Sequence, residues 1–157
     1  MILVVLGTHE LPFTRLLEAV ETSLRKGDIK DEVIVQCGHT SFQSDYMTQY
    51  DFLSYDKMDE FYDQADIIIT HGGTGSIVSG LKKGKKMIAA ARLKKYGEHN
   101  DDHQKEIISE FVKANYLLEW REEAPLASVI EEAYRFTPEP FVAGRDKILE
   151  IIRRFIS

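Results

Sequence analysis

The chain has 157 residues, of which 43% are hydrophobic and 29% charged, and its formal net charge is −6. This length predicts one globular domain with a buried core, and the acidic balance argues against a nucleic-acid-binding protein. The single cysteine, Cys37, excludes a disulfide within this sequence. No signal-peptide pattern and no apolar run of ~20 residues is present, so we expect a cytosolic protein.

Apolar runs and helical patterns alternate along the chain. The first half is predicted to hold a strand over residues 2–6, a helix after Pro12 that ends near Gly27, strands over 32–37 and 51–54, a short helix over 58–65 and a strand over 67–70. The second half is predicted to hold a helix after Ser76, a strand over 87–91, a helix over 101–113, a strand over 116–119, and helices over 126–136 and 143–155.

Strands that alternate with helices through short connections predict an α/β fold with a parallel sheet covered on both faces. Because crossover connections are right-handed, the expected topology is a single Rossmann-like, doubly wound sheet. Ligands of such folds lie beyond the carboxyl ends of the strands. The loops that follow the strands are therefore the candidate functional positions.

The first such loop contains Gly7, Thr8, His9 and Glu10. A glycine at the end of a buried strand lets a ligand approach the backbone, and Thr8 offers a hydroxyl group. An ordinary strand-to-helix turn with a capping threonine explains the same residues.

The second loop, residues 70–76, places three glycines within four positions at the start of a helix. Such a loop leaves backbone N–H groups exposed at the positive end of the helix dipole, and this arrangement favours binding of a phosphate group. The GKS or GKT ending of a Walker loop is absent, and the spacing is not GxGxxG. The alternative is that the glycines serve packing alone.

The third loop, residues 96–104, concentrates carboxylate, amide and imidazole groups that suit sugar hydroxyls. Two alternatives remain open for it. His99 and His103 are spaced as metal ligands on a helix, and the loop also fits a helix N-cap with solvated charges. A phosphate-type loop followed by a polyol-type loop indicates a nucleotide-sugar ligand.

Four motifs in order resemble the C-terminal, donor-binding domain of glycosyltransferase family 28. They are VLGTHELPF at 5–13, FLSY at 52–55, ADIIITHGGTGS at 65–76 and YGEHNDDHQ at 96–104. Within that family, the chain resembles the small catalytic subunits of split capsule and exopolysaccharide glycosyltransferases. These are similar to the catalytic subunit of the dolichol-linked N-acetylglucosamine transferase.

The resemblance implies the C-terminal half of a GT-B fold that binds a UDP-sugar without a metal cofactor. The diphosphate is then expected at His71, Gly72, Gly73, Thr74, Gly75 and Ser76, and the donor sugar at Glu98, Asp102, His103 and Gln104. The uracil is expected at Ser54 and Tyr55, while Gly7, Thr8 and His9 face the acceptor. Relatives usually carry an acidic residue that binds the ribose hydroxyls, and this chain has Ser79 at that position. The carboxylate of Glu98 or Asp101 could compensate for the missing acid.

Sugar transfer needs a base for the acceptor hydroxyl, and His9 is the candidate in this chain because imidazole is neutral near pH 7. A substrate contact or a structural role for His9 is the alternative. No acceptor-binding domain fits beside the donor domain in 157 residues. We therefore expect a separate, membrane-anchored subunit to supply it, with a polyprenyl-diphosphate-linked saccharide as the acceptor at the inner face of the membrane.

Other functions compatible with these motifs are a non-catalytic nucleotide-sugar-binding or regulatory subunit, a nucleotide-sugar epimerase or hydrolase, and a metal-dependent phosphohydrolase. Two features fit a partner or a membrane surface. One is an apolar stripe at Ile148, Ile151, Ile152 and Phe155, beside Arg153 and Arg154, within a predicted helix over 143–156. The other is the basic set Lys82, Lys83, Lys85 and Lys86, which could meet anionic lipid or simply be solvated.

Overall fold

The computed structural model describes residues 1–142, which form a parallel sheet flanked by helices. The strands are β1 (Ile2–Val5), β2 (Val33–Gln36), β3 (Thr48–Tyr50), β4 (Ile67–His71), β5 (Lys86–Ala90) and β6 (Leu118–Glu119). The helices are α1 (Thr14–Arg25), α2 (Tyr55–Gln64), α3 (Thr74–Lys82), α4 (His103–Lys113) and α5 (Leu126–Arg135), with a 3₁₀ turn at Lys94–Tyr96.

The strand order is β3-β2-β1-β4-β5-β6, and every pair of neighbours is parallel. The chain builds outward from β1 in one direction and then returns to continue outward from β4. The predicted doubly wound, Rossmann-like sheet is thus confirmed. The switch in direction falls between β1 and β4, where Ile2 pairs with both Val33 and Ile67. Ligands of such sheets bind beside this switch.

Alternate residues of β1 serve two separate cores, because successive side chains of a strand point to opposite faces. Ile2 and Val4 pack in the core that includes α1 and α5. Leu3 and Val5 pack in the core that includes α2, α3 and α4. Burial on both faces explains why the N-terminal run is continuously apolar.

Most predicted elements lie within one or two residues of the observed ones, but the strand predicted over 51–54 is wrong. The edge strand is Thr48–Tyr50, and Phe52 beyond it is 53% exposed. Ser54 instead begins α2 as its N-cap, where the Ser54 Oγ accepts a hydrogen bond from Lys57 N. The apolar residues Phe52 and Leu53 gave the pattern of a short strand. The serine that follows them is a common N-cap residue and marks the start of a helix.

Three members of the basic set, which was open to lipid contact or to simple solvation, are engaged within the chain. Lys83 pairs with the carboxylates of Asp59 and Asp63. Lys85 donates to the carbonyls of Asp63 and Ala65, and Lys86 donates to the carbonyl of Tyr134. Lys85 and Lys86 thus satisfy carbonyls at helix ends, where a cation is favourable.

The apolar stripe predicted over 143–156 lies outside the described residues. Within residues 1–142, no helix combines the length and the hydropathy that a membrane crossing requires.

A buried guanidinium group ties the strand ends together. Arg92, which is 1% exposed, donates from Nη2 to the carbonyl of Leu6 at 2.7 Å. Its Nη1 donates to the carbonyls of Leu11 and Glu98 at 2.7 and 3.2 Å. Burial lowers the pKa of Arg92 to about 10, so the group stays charged near pH 7. One side chain thus connects the loop after β1 with the loop after β5.

We expect Arg92→Met to lower the free energy of unfolding by about 3 kcal/mol, because three buried carbonyls lose a charged donor. Urea denaturation followed by circular dichroism measures this. Arg135→Met is the matched control, since Arg135 is exposed and pairs with Glu131 on its own helix. Equal stability of the two variants would show that Arg92 does not hold the loops.

Candidate functional site

A cavity of about 860 Å³ opens at the carboxyl ends of β1 and β4, between α2 and α3. It is lined by Gly7, Thr8, His9, Tyr55, Met58, Asp59, Tyr62, His71, Gly73, Gly75, Ser76, Ser79, Lys82, Lys83 and Gln104. Its position beside the switch between β1 and β4 is the expected place for a ligand in this topology.

His71 ends β4 and is clasped between two glycines. A Cβ atom on Gly7 would lie 2.4 Å from His71 Nε2, and one on Gly73 would lie 2.4 Å from His71 Cε1. Gly7 also has a φ of 76°, in the left-handed region that favours glycine. Both glycines are therefore required by the imidazole ring. The packing of this ring accounts for the absence of a side chain at Gly7, predicted as a point of ligand approach, and at Gly73, predicted as part of a phosphate loop.

Gln104 determines which nitrogen of the His71 ring carries the proton. Its Oε1 accepts from the backbone N–H groups of Gly72 and Arg92, at 2.9 and 3.0 Å. The Gln104 Nε2 then faces His71 Nδ1 at 3.3 Å and is the donor of this pair. Nδ1 is thus an acceptor, and the proton of the neutral ring lies on Nε2. Among residues 1–142, Nε2 finds no hydrogen-bond partner, so its N–H is available to the cavity.

Burial keeps His71 uncharged. The ring is 8% exposed, and burial, followed by the positive charge of Arg92, lowers its pKa to about 3. Near pH 7, His71 therefore offers a neutral N–H donor. Such a donor suits an anionic oxygen that must be bound without a proton transfer.

The start of α3 adds further donors next to His71. The N-cap is Gly73, which has no side chain to satisfy the first N–H groups of the helix. Gly75 and Ser76 of this first turn line the cavity, and a Cβ atom on Gly75 would meet nothing within 4 Å. Open N–H groups at the positive end of a helix form an anion site.

His9 lies at the mouth of the cavity, with its ring 4.4 Å from that of His99. Burial, followed by His99, lowers the pKa of His9, so it is neutral near pH 7. Its Nδ1 accepts from Leu11 N at 3.1 Å, which places the proton on Nε2. In this conformation, the nitrogen of His9 that is open to a ligand is Nε2, which carries the proton and can only donate. His9 can act as a base only after Nδ1 gives up its hydrogen bond with Leu11 N.

Several predicted site residues do not line the cavity. Glu98 is buried, and its two carboxylate oxygens accept from Arg15 and from Leu93 N. Asp102 accepts from Lys94 N, and exposed His103 lies 3.5 Å from a carboxylate oxygen of Asp101. The others are Ser54, Gly72 and Thr74. Of the four residues predicted to bind the donor sugar, Gln104 alone lines the cavity.

The alternative of a metal site at His99 and His103 is not supported by the contacts. Both rings face Asp101, whose carboxylate lies 3.2 Å from His99 and 3.5 Å from His103. Within residues 1–142, no three His, Cys, Asp or Glu side chains form a group that could hold a metal ion.

Besides the predicted Tyr55 and Ser79, helices α2 and α3 contribute cavity residues that the sequence did not predict. On α2, Met58, Asp59 and Tyr62 follow Tyr55 at helical spacing. Lys82 and Lys83 follow Ser79 at the end of α3. The spacing i, i+3, i+4, i+7 on α2 was a usable signal, but it is equally typical of a helix face that packs on a core. Tyr62 serves both purposes, since it is buried and its hydroxyl donates to the carbonyl of Ser76.

We expect Gln104→Glu to move the proton of His71 from Nε2 to Nδ1, because a carboxylate oxygen beside Nδ1 can only accept. The nitrogen chemical shifts of His71, measured by NMR, report this directly. Gln49→Glu is the control, since Gln49 bonds Ser44 N and the carbonyl of Phe42 away from the cavity. An unchanged Nε2–H pattern in Gln104→Glu would contradict the assignment.

We expect His71 to weaken the fold as the pH falls. Its pKa is about 3 in the folded chain against an ordinary value of 6.5, so only the unfolded chain binds the proton between these values. The contribution of the neutral ring is complete above pH 6.5. It declines below that by up to about 1.4 kcal/mol per pH unit.

Urea denaturation of the wild type and of His71→Gln, over a series from about pH 7.5 to pH 4.5, isolates this contribution. The difference in the free energy of unfolding should shrink as the pH falls. Parallel curves for the two proteins would show that burial does not suppress protonation of His71.

Comparisons with known proteins identify the family and the fold. The family described as the glycosyltransferase family 28 C-terminal domain matches residues 1–153. A curated relative, the UDP-N-acetylglucosamine transferase subunit ALG13 of Candida albicans, is 36% identical over 62 residues. That match covers 40% of this chain, and the chain spans 20% of the length of the relative.

Two solved structures show the same fold. The NMR solution structure of ALG13 superposes with a TM-score of 0.57 at 19% identity, over 96% of this chain and 93% of that chain. The crystal structure of CalG4, the calicheamicin glycosyltransferase, superposes with a TM-score of 0.61 at 15% identity, over 98% of this chain and 36% of that chain. The fold is thus the C-terminal half of a GT-B glycosyltransferase, and this chain belongs to the glycosyltransferase family 28 C-terminal domain family.

Proposed function

We propose that this protein is the donor-binding, catalytic subunit of a UDP-sugar-dependent glycosyltransferase. It transfers a hexose or an N-acetylhexosamine to a polyprenyl-diphosphate-linked saccharide in capsule or exopolysaccharide synthesis. The observation that carries the proposal is the His71 N–H group, which points into the cavity beside the uncapped start of α3. Membership of glycosyltransferase family 28 supports the reaction class.

The cavity offers what a leaving diphosphate needs. In the transfer, the acceptor hydroxyl oxygen bonds to the anomeric carbon while the bond from that carbon to the phosphate oxygen breaks. Negative charge develops on the departing UDP, where His71 Nε2–H and the first N–H groups of α3 can stabilise it. The charge of Arg92 lies behind this site, and Lys82 and Lys83 lie at its rim. These positive charges attract an anion although the chain as a whole is acidic.

The proton of the acceptor hydroxyl must pass to a base. His9 stands at the mouth of the cavity and fills this role once its Nδ1 releases Leu11 N and the ring presents an unprotonated nitrogen. A group of the partner subunit is the other source. No metal takes part in this scheme, because the N–H donors neutralise the leaving group.

A second subunit completes the enzyme in this proposal. The region of CalG4 that resembles this chain is 36% of that glycosyltransferase, and ALG13 is named as a transferase subunit. Both facts support a partner that binds the acceptor. A membrane-anchored partner would hold this chain at the inner face of the membrane, where a lipid-linked acceptor is reached.

A non-catalytic nucleotide-sugar-binding or regulatory subunit is the second candidate. It is favoured by the protonated Nε2 of His9, which leaves the cavity without a ready base in the described conformation. The two candidates differ in turnover. The reconstituted pair releases UDP and a lengthened lipid-linked saccharide if this chain is catalytic, and binds the donor without turnover if it is not.

We expect the isolated protein to bind UDP, and Gly73→Ala to weaken binding at least tenfold because the new Cβ displaces the His71 ring. Isothermal titration calorimetry measures both affinities. Gly27→Ala is the control, since it adds the same methyl group outside the cavity, where a Cβ atom would meet nothing within 4 Å. The donor site is misplaced if Gly73→Ala binds UDP as tightly as Gly27→Ala.

A further inference from the structure

One carboxylate stands among the cavity-lining side chains of residues 1–142. It belongs to Asp59 on α2, whose side chain is 46% exposed. Its Oδ1 lies 2.9 Å from Lys83 Nζ, which reaches across from the end of α3. The carboxylates predicted to compensate for Ser79 are engaged elsewhere: Glu98 is bonded to Arg15, and Asp101 faces His99.

A carboxylate is out of place in a cavity whose other features attract an anion. Like charges repel, so Asp59 cannot face a phosphate group of the ligand directly. It can face a neutral part that carries hydroxyl groups, because an ionised carboxylate accepts two hydrogen bonds at once. The position of Asp59 therefore indicates which part of the ligand lies at that end of the cavity.

Asp59 lies at the end of the cavity near the C-terminus of α3, whereas the anion site lies at the N-terminus of that helix. Ser79 lies five residues after the first residue of α3, Thr74, which is about 8 Å at 1.5 Å per residue. Lys83 follows Ser79 by four residues and so lies on the same side of the helix. Asp59, Ser79 and Lys83 therefore form one patch, which a pentose attached to the bound diphosphate can reach. The Ser79 hydroxyl donates to the carbonyl of Gly75, which leaves its oxygen free to accept.

We propose that Asp59 binds the 2′ and 3′ hydroxyls of the ribose of the nucleotide, with Lys83 holding the carboxylate in place. This inference rests on the proposed function and assigns the nucleoside end of the same cavity. The hydrogen bonds from Lys83 to Asp59 and Asp63 raise the pKa of the lysine, which therefore stays charged. The site then selects ribonucleotides over their deoxy analogues.

Two aspartates allow a matched test. Asp63 pairs with the same Lys83 Nζ at 2.6 Å but does not line the cavity. Asp59→Asn and Asp63→Asn therefore remove the same charge from the same lysine, and only the first alters the cavity. UDP and 2′,3′-dideoxy-UDP, titrated into each protein by calorimetry, separate hydroxyl recognition from the general electrostatic effect.

Asp59→Asn should weaken UDP binding about tenfold and leave 2′,3′-dideoxy-UDP binding unchanged, whereas Asp63→Asn should change neither. Equal losses in the two variants, or an equal loss for both nucleotides in Asp59→Asn, would overturn the inference in favour of an electrostatic effect alone. UDP binding that is unaltered by Asp59→Asn also overturns it, but leaves the proposed function standing. A wild-type protein that binds no UDP overturns both.

Discussion

The buried charge of Arg92 is the interaction on which the site depends. Among residues 1–142, its guanidinium group has no ion-pair partner within hydrogen-bonding distance, and it is held by the carbonyls of Leu6, Leu11 and Glu98. These bonds offset the loss of hydration that burial costs a cation. They also connect the loop after β1, which lines the cavity, to the loop after β5. The charge then adds to burial in lowering the pKa of His71, and to burial and His99 in lowering the pKa of His9.

Because both histidines of the cavity are neutral, the site depends on which nitrogen of each ring donates and which accepts a hydrogen bond. A charged imidazole donates from both nitrogens, whereas a neutral one donates from a single nitrogen that its neighbours select. Gln104 makes that selection for His71, and Leu11 N makes it for His9. The oxygen of the same amide accepts from the backbone N–H groups of Gly72 and Arg92. One side chain thus connects the glycine loop, the backbone at the end of β5 and the histidine N–H donor of the cavity.

The sequence predicted the fold well because its signals are local. The alternation of apolar runs with helical spacing determines the order of strands and helices, and Gly7 and Gly27 mark real ends of elements. The strand placed over 51–54 failed because edge strands are short and half exposed, so their pattern is weak. The glycine-rich segment was predicted to lie between a strand and a helix, and it joins β4 to α3 in the structure.

The site was predicted less completely, because its contacts join residues far apart in the chain. The clasp of Gly7 and Gly73 around His71 and the pairing of Arg15 with Glu98 span more than sixty residues each. No spacing rule reveals such pairs. The sequence therefore holds no signal for the pairing of Glu98 with the half-buried Arg15, and the predicted sugar role of Glu98 came from the family resemblance.

The exposure of the cavity rim bears on the proposed role of a second subunit. Its rim carries Tyr55, which is 84% exposed, together with the exposed residues Gly75, Ser79 and Lys82. A donor bound there would remain open to water on that side, and water competes both for the N–H donors and as an acceptor of the sugar. A second subunit that covers the rim would remove this water and strengthen the same hydrogen bonds. Partner binding would then raise selectivity for the saccharide acceptor over hydrolysis as well as supply that acceptor.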